Sequence, residues 1–149
     1  MAGWICANTV MRRMQAAGTG WWGRAVLRIQ LAGLVLAFLF GLVEATGLLA
    51  PESLAFTVLD VSWPLSMVWM LVVGVFVIAA KRLAGWRRFV PVLCVPVWLA
   101  GLTVGTFLLP EAVGSPVGFG VGAAMWALLG LAVRDPDGSR IEASPEPAS

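Results

Sequence analysis

The sequence predicts an all-α integral membrane protein, a bundle of four transmembrane helices with both termini in the cytoplasm. Three observations predict this fold class. Apolar residues make up 60 % of the 149 residues and charged residues only 12 %, whereas soluble domains carry roughly 25 % charged residues. Apolar stretches long enough to cross a bilayer recur along the chain, and every basic residue falls on one side of the resulting four-span layout.

Residues 1–23 form the first predicted segment and lie on the cytoplasmic side. They lack the apolar core and early positive charge of a secretory signal. A short helix at the membrane interface is one interpretation, because the segment contains the apolar residues Trp4, Ile5, Val10, Met11 and Met14. A mis-assigned start codon is the other, since Met11 and Met14 are also candidate starts.

Four spans follow in the transmembrane domain, residues 24–133, because a helix that rises ~1.5 Å per residue needs about 20 apolar residues to cross the hydrocarbon core. The predicted spans cover residues 24–49, 62–80, 89–109 and 112–133. The last three contain no charged residue. Lipid requires every backbone polar group to be paired, and runs that are apolar all round form helices rather than barrel strands. Residues 134–149 are rich in Pro, Ser and acidic residues and are predicted to be a disordered cytoplasmic tail.

The charges alternate between the gaps that separate the spans. Basic residues precede the first span, follow the fourth, and fill the gap between the second and third as Lys81, Arg82, Arg87 and Arg88. The other two gaps contain no basic residue. Because basic residues near helix ends resist translocation, the basic side is the cytoplasmic side. The four basic residues of the tight turn are also expected to contact anionic lipid headgroups.

Small residues recur at four-residue spacing in three of the spans. Such ridges let helix backbones approach closely, which is how helices associate in lipid. Packing within one bundle and association between chains both account for the pattern. The predicted packing residues are Gly33, Ala37 and Gly41 in the first span, Gly101 and Gly105 in the third, and Gly114, Gly118 and Gly122 in the fourth.

Acidic residues are confined to the predicted outer side within the first 133 residues. If the first span extends to Leu49, Glu44 lies inside the bilayer and marks a proton or cation site; if it ends at Val43, Glu44 is a boundary charge. A candidate acidic patch for a cation or a basic partner combines Glu44 with Glu52, Asp60 and Glu111. The simpler account of this region makes Asp60 or Ser62 the N-cap of the second helix.

The sequence favours a non-catalytic membrane component, such as a subunit, scaffold or modulator. It contains no His, and Cys6 and Cys94 are far apart, so neither catalysis nor a metal or cofactor site is expected. A net charge of +2 is too small to predict nucleic-acid binding. The expected partners are the lipid bilayer and a second copy or another membrane protein, in a cell membrane and most simply a bacterial inner membrane.

The alternative is a small transporter, or a permease coupled to ions or protons, that uses Glu44. Four short helices with an acidic residue in the first resemble the architecture of small multidrug transporters. The key glutamate of that family lies in the middle of its helix, whereas Glu44 lies near one end of the predicted span. No further motif supports the resemblance.

Overall fold

A computed structural model describes residues 2–50 and 52–134 of the chain. The described residues form α-helices and no strand, so the predicted all-helical fold is confirmed for this part. The predicted tail from residue 135 onward lies outside the described residues. The helices are α1 (Ala2–Arg13), α2 (Trp21–Thr46), α3 (Leu54–Ala80), α4 (Val90–Leu108) and α5 (Glu111–Val133), with a 3-10 turn at Gly85–Phe89 before α4.

Four of these elements are long and apolar enough to cross a membrane: α2, α3, α4 with its preceding 3-10 turn, and α5. The segments contain 26, 27, 24 and 22 residues, which gives them lengths of about 33–40 Å at a rise of ~1.5 Å per residue. The predicted number of candidate membrane spans is therefore confirmed.

The second long helix begins well before its predicted span. Ser53 is the N-cap of α3, and its hydroxyl accepts a hydrogen bond from the backbone N–H of Phe56 at 3.2 Å. The prediction that Asp60 or Ser62 caps this helix was wrong. Asp60 is an exposed residue two turns inside α3, so its charge interrupts the uncharged run without interrupting the helix. Pro64 consequently lies in the helix interior.

The four long helices pack in chain order, because α2 contacts α3, α3 contacts α4 and α4 contacts α5. Within the described residues α2 and α5 do not approach each other closely. The short helix α1 packs against both of them. It therefore fills part of the space between the first and last long helices.

One face of α1 is buried through Trp4, Ala7, Asn8 and Met11, which recur at helical spacing. The Trp4 ring stacks on the Trp126 ring of α5 with centroids 4.0 Å apart. The apolar face that the sequence assigned to the membrane interface therefore packs against other helices of the same chain.

Candidate functional site

Of the predicted acidic patch, the described side chains of Glu44, Glu52 and Asp60 line none of the three cavities described below. Glu44 is exposed in the last turn of α2, which ends at Thr46 and is followed by Gly47 at φ +64°. Glu52 lies in the loop before α3 and is also exposed, as is Asp60. The side chain of Glu111 lies outside the described part of the chain. A carboxylate site at this end stays a prediction.

Three of the predicted glycines form a backbone contact between α4 and α5. Gly105 and Gly114 face each other's carbonyl oxygens so closely that neither position has room for a Cβ atom. A Cβ at Gly118 would come within 3.3 Å of the Cα of Leu102. The two helix backbones therefore touch where the side chains are absent.

The other two predicted glycines of the helix pair α4–α5 leave room for side chains of the facing helix. A Cβ at Gly101 would lie 2.7 Å from the side chain of Val121, and one at Gly122 would lie 2.6 Å from Cδ1 of Trp98. All five glycines therefore serve packing within the chain in this structure.

The predicted ridge of α2 divides into a buried and an exposed part. A Cβ at Gly33 would come within 2.8 Å of the Ser66 hydroxyl oxygen of α3, and Ala37 is only 2 % exposed. Gly41 is exposed and no atom would lie within 4 Å of its Cβ. The ridge therefore packs on α3 only along its first half.

A small outward face on α5 was not singled out from the sequence. We use this name for the exposed residues Pro116, Gly120, Ala123, Ala124, Ala127 and Gly130. A Cβ at Gly120 or Gly130 would meet no atom within 4 Å. The outward surface of α2, in contrast, carries Ile29, Val35, Leu36, Phe38, Leu39 and Leu42, each at least 38 % exposed.

The polar groups in the middle of the bundle join α2 to α3. Gln30 is fully buried, and its side-chain amide nitrogen donates to the backbone oxygen of Ser66 at 3.3 Å. The indole N–H of Trp69 donates to the backbone oxygen of Val26 at 3.0 Å. These groups hold two helices together and include no titratable side chain.

An aromatic cavity of about 410 Å³ lies at the start of α1, where Gly3 and Trp4 meet residues of α3, α4 and α5. Four tryptophans line it, in two contacting pairs: Trp4 stacks on Trp126, and Trp63 meets the Trp98 ring edge-on at a centroid distance of 5.6 Å. Its lining contains no charged residue. The cavity can therefore accept apolar or aromatic groups and offers nothing for acid–base chemistry.

Two of the four basic residues in the tight turn between α3 and α4 contact other groups of the chain. Arg87 donates to the backbone oxygen of Arg134 at 3.4 Å, and the Arg88 guanidinium lies over the Phe89 ring at 4.8 Å from its centroid. Lys81 and Arg82 are exposed. The predicted contact of these four residues with lipid headgroups stays a prediction.

A second basic cluster, formed where α1 turns into α2, was not predicted as a site. We call it the arginine pocket: a cavity of about 290 Å³ whose lining includes Arg12 and Arg13 of α1 and Arg24 and Arg28 of α2. Thr9, Gln15, Gly18 and Leu27 complete the lining, which contains no carboxylate. In the sequence these arginines served only to predict topology. No sequence pattern indicates that the end of α1 and the start of α2 lie side by side.

A comparison of the chain with protein-family models, with curated proteins and with solved structures finds no match. The functional argument therefore depends on the geometry of these surfaces and cavities.

Proposed function

We propose that this chain is a non-catalytic, multi-pass component of a cell membrane that associates with a second copy or with another membrane protein. In this proposal α2, α3, α4 and α5 span the bilayer. The end of α1 at Arg12 and Arg13 and the end of α5 lie on the cytoplasmic side, and the start of α1 at Trp4 reaches in between the spanning helices. The inner membrane of a bacterium is the membrane we assign. The small outward face of α5 is the proposed contact surface.

The topology is supported by the distribution of charge over the helix ends. The end formed by the start of α2, the turn between α3 and α4, and the end of α5 carries the described basic residues. The opposite end carries Glu44, Glu52 and Asp60. Basic residues stay on the side from which a helix is inserted, so the basic end is the cytoplasmic end.

The observation that carries the association is the contrast between outward faces. Side chains that face lipid need only be apolar, and most of the exposed residues in the middle of α2 are bulky. The exposed surface of α5 has more small residues, at Gly120, Ala123, Ala124, Ala127 and Gly130, and the larger Val113, Phe119 and Leu131 are exposed beside them. Small residues on a helix surface permit close approach of another helix, and dispersion and weak hydrogen bonds then hold the two together.

The non-catalytic part of the proposal is supported by the chemistry of the interior. The buried polar side chains of the described residues are Asn8, Gln30, Ser62 and Ser66. Amides and hydroxyls do not change their protonation state near neutral pH. General acid–base catalysis needs a positioned group that does. The described residues also contain no group of three or more His, Cys, Asp or Glu side chains that could hold a metal ion.

The topology is tested with reporter fusions. Fusions after Leu54 and Ala112 should be active only for a reporter that works outside the cytoplasm, and a fusion after Trp86 only for one that works inside. Activity of the cytoplasmic reporter at both Leu54 and Ala112 would refute the layout.

The association is tested by cross-linking in native membranes and purification in a mild detergent. We expect the wild-type chain to be captured with a second copy or a partner, and Gly120→Leu with Ala127→Leu to reduce that capture at least about fivefold, since leucines hold the helices apart. The matched control is Gly41→Leu with Ala45→Leu, the same exchange at two exposed small residues of α2. A wild-type chain that is always monomeric, or an equal loss in the control, would refute the proposal.

A further inference from the structure

The arginine pocket is built by a rigid turn rather than by chance proximity of flexible side chains. After α1 the backbone N–H of Ala16 donates to the oxygen of Met11 at 2.9 Å, and that of Gly18 to the oxygen of Gln15 at 2.8 Å. Gly18 has a φ of +97°, which favours glycine. These hydrogen bonds reverse the chain so that the last turn of α1 faces the first turns of α2.

A close contact fixes the turn against α2. A Cβ at Gly23 would overlap with the backbone oxygen of Ala17 and with that of Gly18 at 2.9 Å. The turn can therefore lie directly on the first turn of α2. Arg24 and Arg28 follow Gly23 and lie one helical turn apart on the same face. The two arginines of α1 meet them across the cavity.

All four arginines are exposed, so water screens the repulsion between their guanidinium groups in part, and an anion bound between them would relieve it further. The lining provides none, because it contains no Asp or Glu. In the basic turn before α4, Arg87 donates to a backbone oxygen and the Arg88 guanidinium lies over the Phe89 ring, although the buried Nε of Arg88 has no hydrogen-bond partner. The arginine pocket differs because its four guanidinium groups line one cavity and can contact a single anion together.

The chemistry of the pocket selects a phosphate. The planar fork of a guanidinium binds two oxygens of a phosphate at once, and arginine is the preferred residue for such contacts. The amide of Gln15 in the lining adds a neutral donor, whereas the hydroxyl of Thr9 already donates to the backbone oxygen of Ile5 at 2.8 Å.

The depth of the pocket indicates where the phosphate comes from. Trp21 and Trp22 are 63 % and 68 % exposed at the start of α2, and exposed tryptophans lie at the headgroup level of a bilayer. Arg28 is two turns further along the helix. The part of the pocket that α2 lines runs from Arg24 to Arg28, in the two turns that follow the tryptophans, so we place its opening next to the lipid phosphates.

A mainly apolar groove, whose lining on α2 begins at Ile29, lies next to Arg28. It has a volume of about 460 Å³ and is formed between α2 and α3 by residues that include Ala32, Leu36 and Leu65. Ala32 follows Arg28 by four residues and therefore lies next to it along the helix surface. A molecule with a phosphate in the pocket can place an acyl chain in this groove.

We propose that the arginine pocket binds the phosphate headgroup of an anionic phospholipid from the cytoplasmic leaflet, with one acyl chain in the groove between α2 and α3. This inference depends on the proposed membrane insertion but not on the proposed association. The bound lipid would hold α1 against α2. The folded chain would therefore be more stable in a membrane that contains anionic phospholipid than in one that does not.

The test measures lipid binding to the purified, delipidated full-length chain in detergent by native mass spectrometry. Phosphatidylglycerol should bind, and phosphatidylcholine should bind at least about tenfold more weakly. Arg12→Gln with Arg28→Gln should weaken phosphatidylglycerol binding at least about tenfold. The matched control, Lys81→Gln with Arg82→Gln, removes the same charge from exposed positions on the same side and should change binding less than about twofold.

Two further arms identify the source of the phosphate. Inorganic phosphate should compete only at millimolar concentration, and Ala32→Phe should weaken phosphatidylglycerol binding without changing competition by phosphate. Equal losses in the two arginine pairs would mean that only net charge matters and would overturn the site. Tight binding of free phosphate, or no effect of Ala32→Phe, would overturn the assignment to a phospholipid.

Membrane fractionation of every variant separates this inference from the proposed function. Wild type and variants should all remain in the membrane fraction, which detects a failure to insert before binding is measured. If the chain inserts but phosphatidylglycerol binds no better than phosphatidylcholine, the lipid site is refuted while the proposed function stands.

Discussion

The pair α2–α3 and the pair α4–α5 are held together by different kinds of contact. In α4–α5 the backbones touch at Gly105 and Gly114, where no Cβ fits. In α2–α3 the contact runs through side chains, with hydrogen bonds from Gln30 and Trp69 to backbone oxygens of the facing helix. Close backbone contact and interhelical hydrogen bonds are the two means that join helices where lipid removes the hydrophobic driving force, as we propose for this chain.

The difference separates a rigid half of the molecule from an adaptable one. Backbone atoms cannot move aside, so α4–α5 has one packing distance. Side chains can change rotamer, so α2–α3 can adjust, and the arginine pocket and the apolar groove both lie along α2. We expect ligand-dependent changes on the α2 side and a fixed outward face on the α5 side.

The largest expected effect comes from a bulky residue in the rigid contact. Gly114→Leu forces a side chain onto the Gly105 carbonyl and should lower the free energy of unfolding by about 3 kcal/mol or prevent folding. Thermal unfolding in detergent measures it. Gly120→Leu, on the same helix but with no atom within 4 Å, should unfold like the wild type. Equal losses in both variants would contradict the backbone contact.

The same substitution, Gly→Ala, can be made in the α4–α5 contact and in the α2–α3 contact, and the two losses can be compared. Gly105→Ala places a Cβ on backbone atoms and should cost about 1–3 kcal/mol. Gly33→Ala places a Cβ 2.8 Å from the Ser66 hydroxyl oxygen, which can rotate away, and the loss should stay below about 1 kcal/mol. The difference in unfolding temperature between the two variants is the measurement. A larger loss for Gly33→Ala would reverse the assignment of the rigid and adaptable halves.

The smallest expected effect comes from the hydrogen bonds of the adaptable pair. Gln30→Met or Trp69→Phe removes one interhelical bond, and such bonds contribute about 0.6 kcal/mol on average in membrane proteins. The loss in unfolding free energy should be of that order in each variant. Thr103→Val is the control, because its hydroxyl bonds only to Leu99 of the same helix, and it should change less. A loss above about 2 kcal/mol would indicate that these bonds, and not packing, hold α2 to α3.

The predicted spans identify all four long helices, because length and hydropathy are local properties that lipid selects directly. The glycine ridges likewise contain Gly105 and Gly114, which the structure brings together. The start of α3 was missed, since a search for uncharged runs stops at Asp60 while helix formation does not. Gly74 and Gly23, whose absent Cβ atoms allow close contacts with Val92 and Ala17, carry no spacing signal.

The sequence by itself determined that this chain is helical, how many of its helices can span a bilayer, and which helix ends carry basic charge. Only the tertiary structure decided that α1 packs between α2 and α5, that four arginines enclose a cavity, and that the small face of α5 points outward. The physical reason is range. Hydropathy and charge act on neighbouring residues, whereas a pocket or an interface depends on which helices meet, and that is set by close packing between residues far apart in the chain.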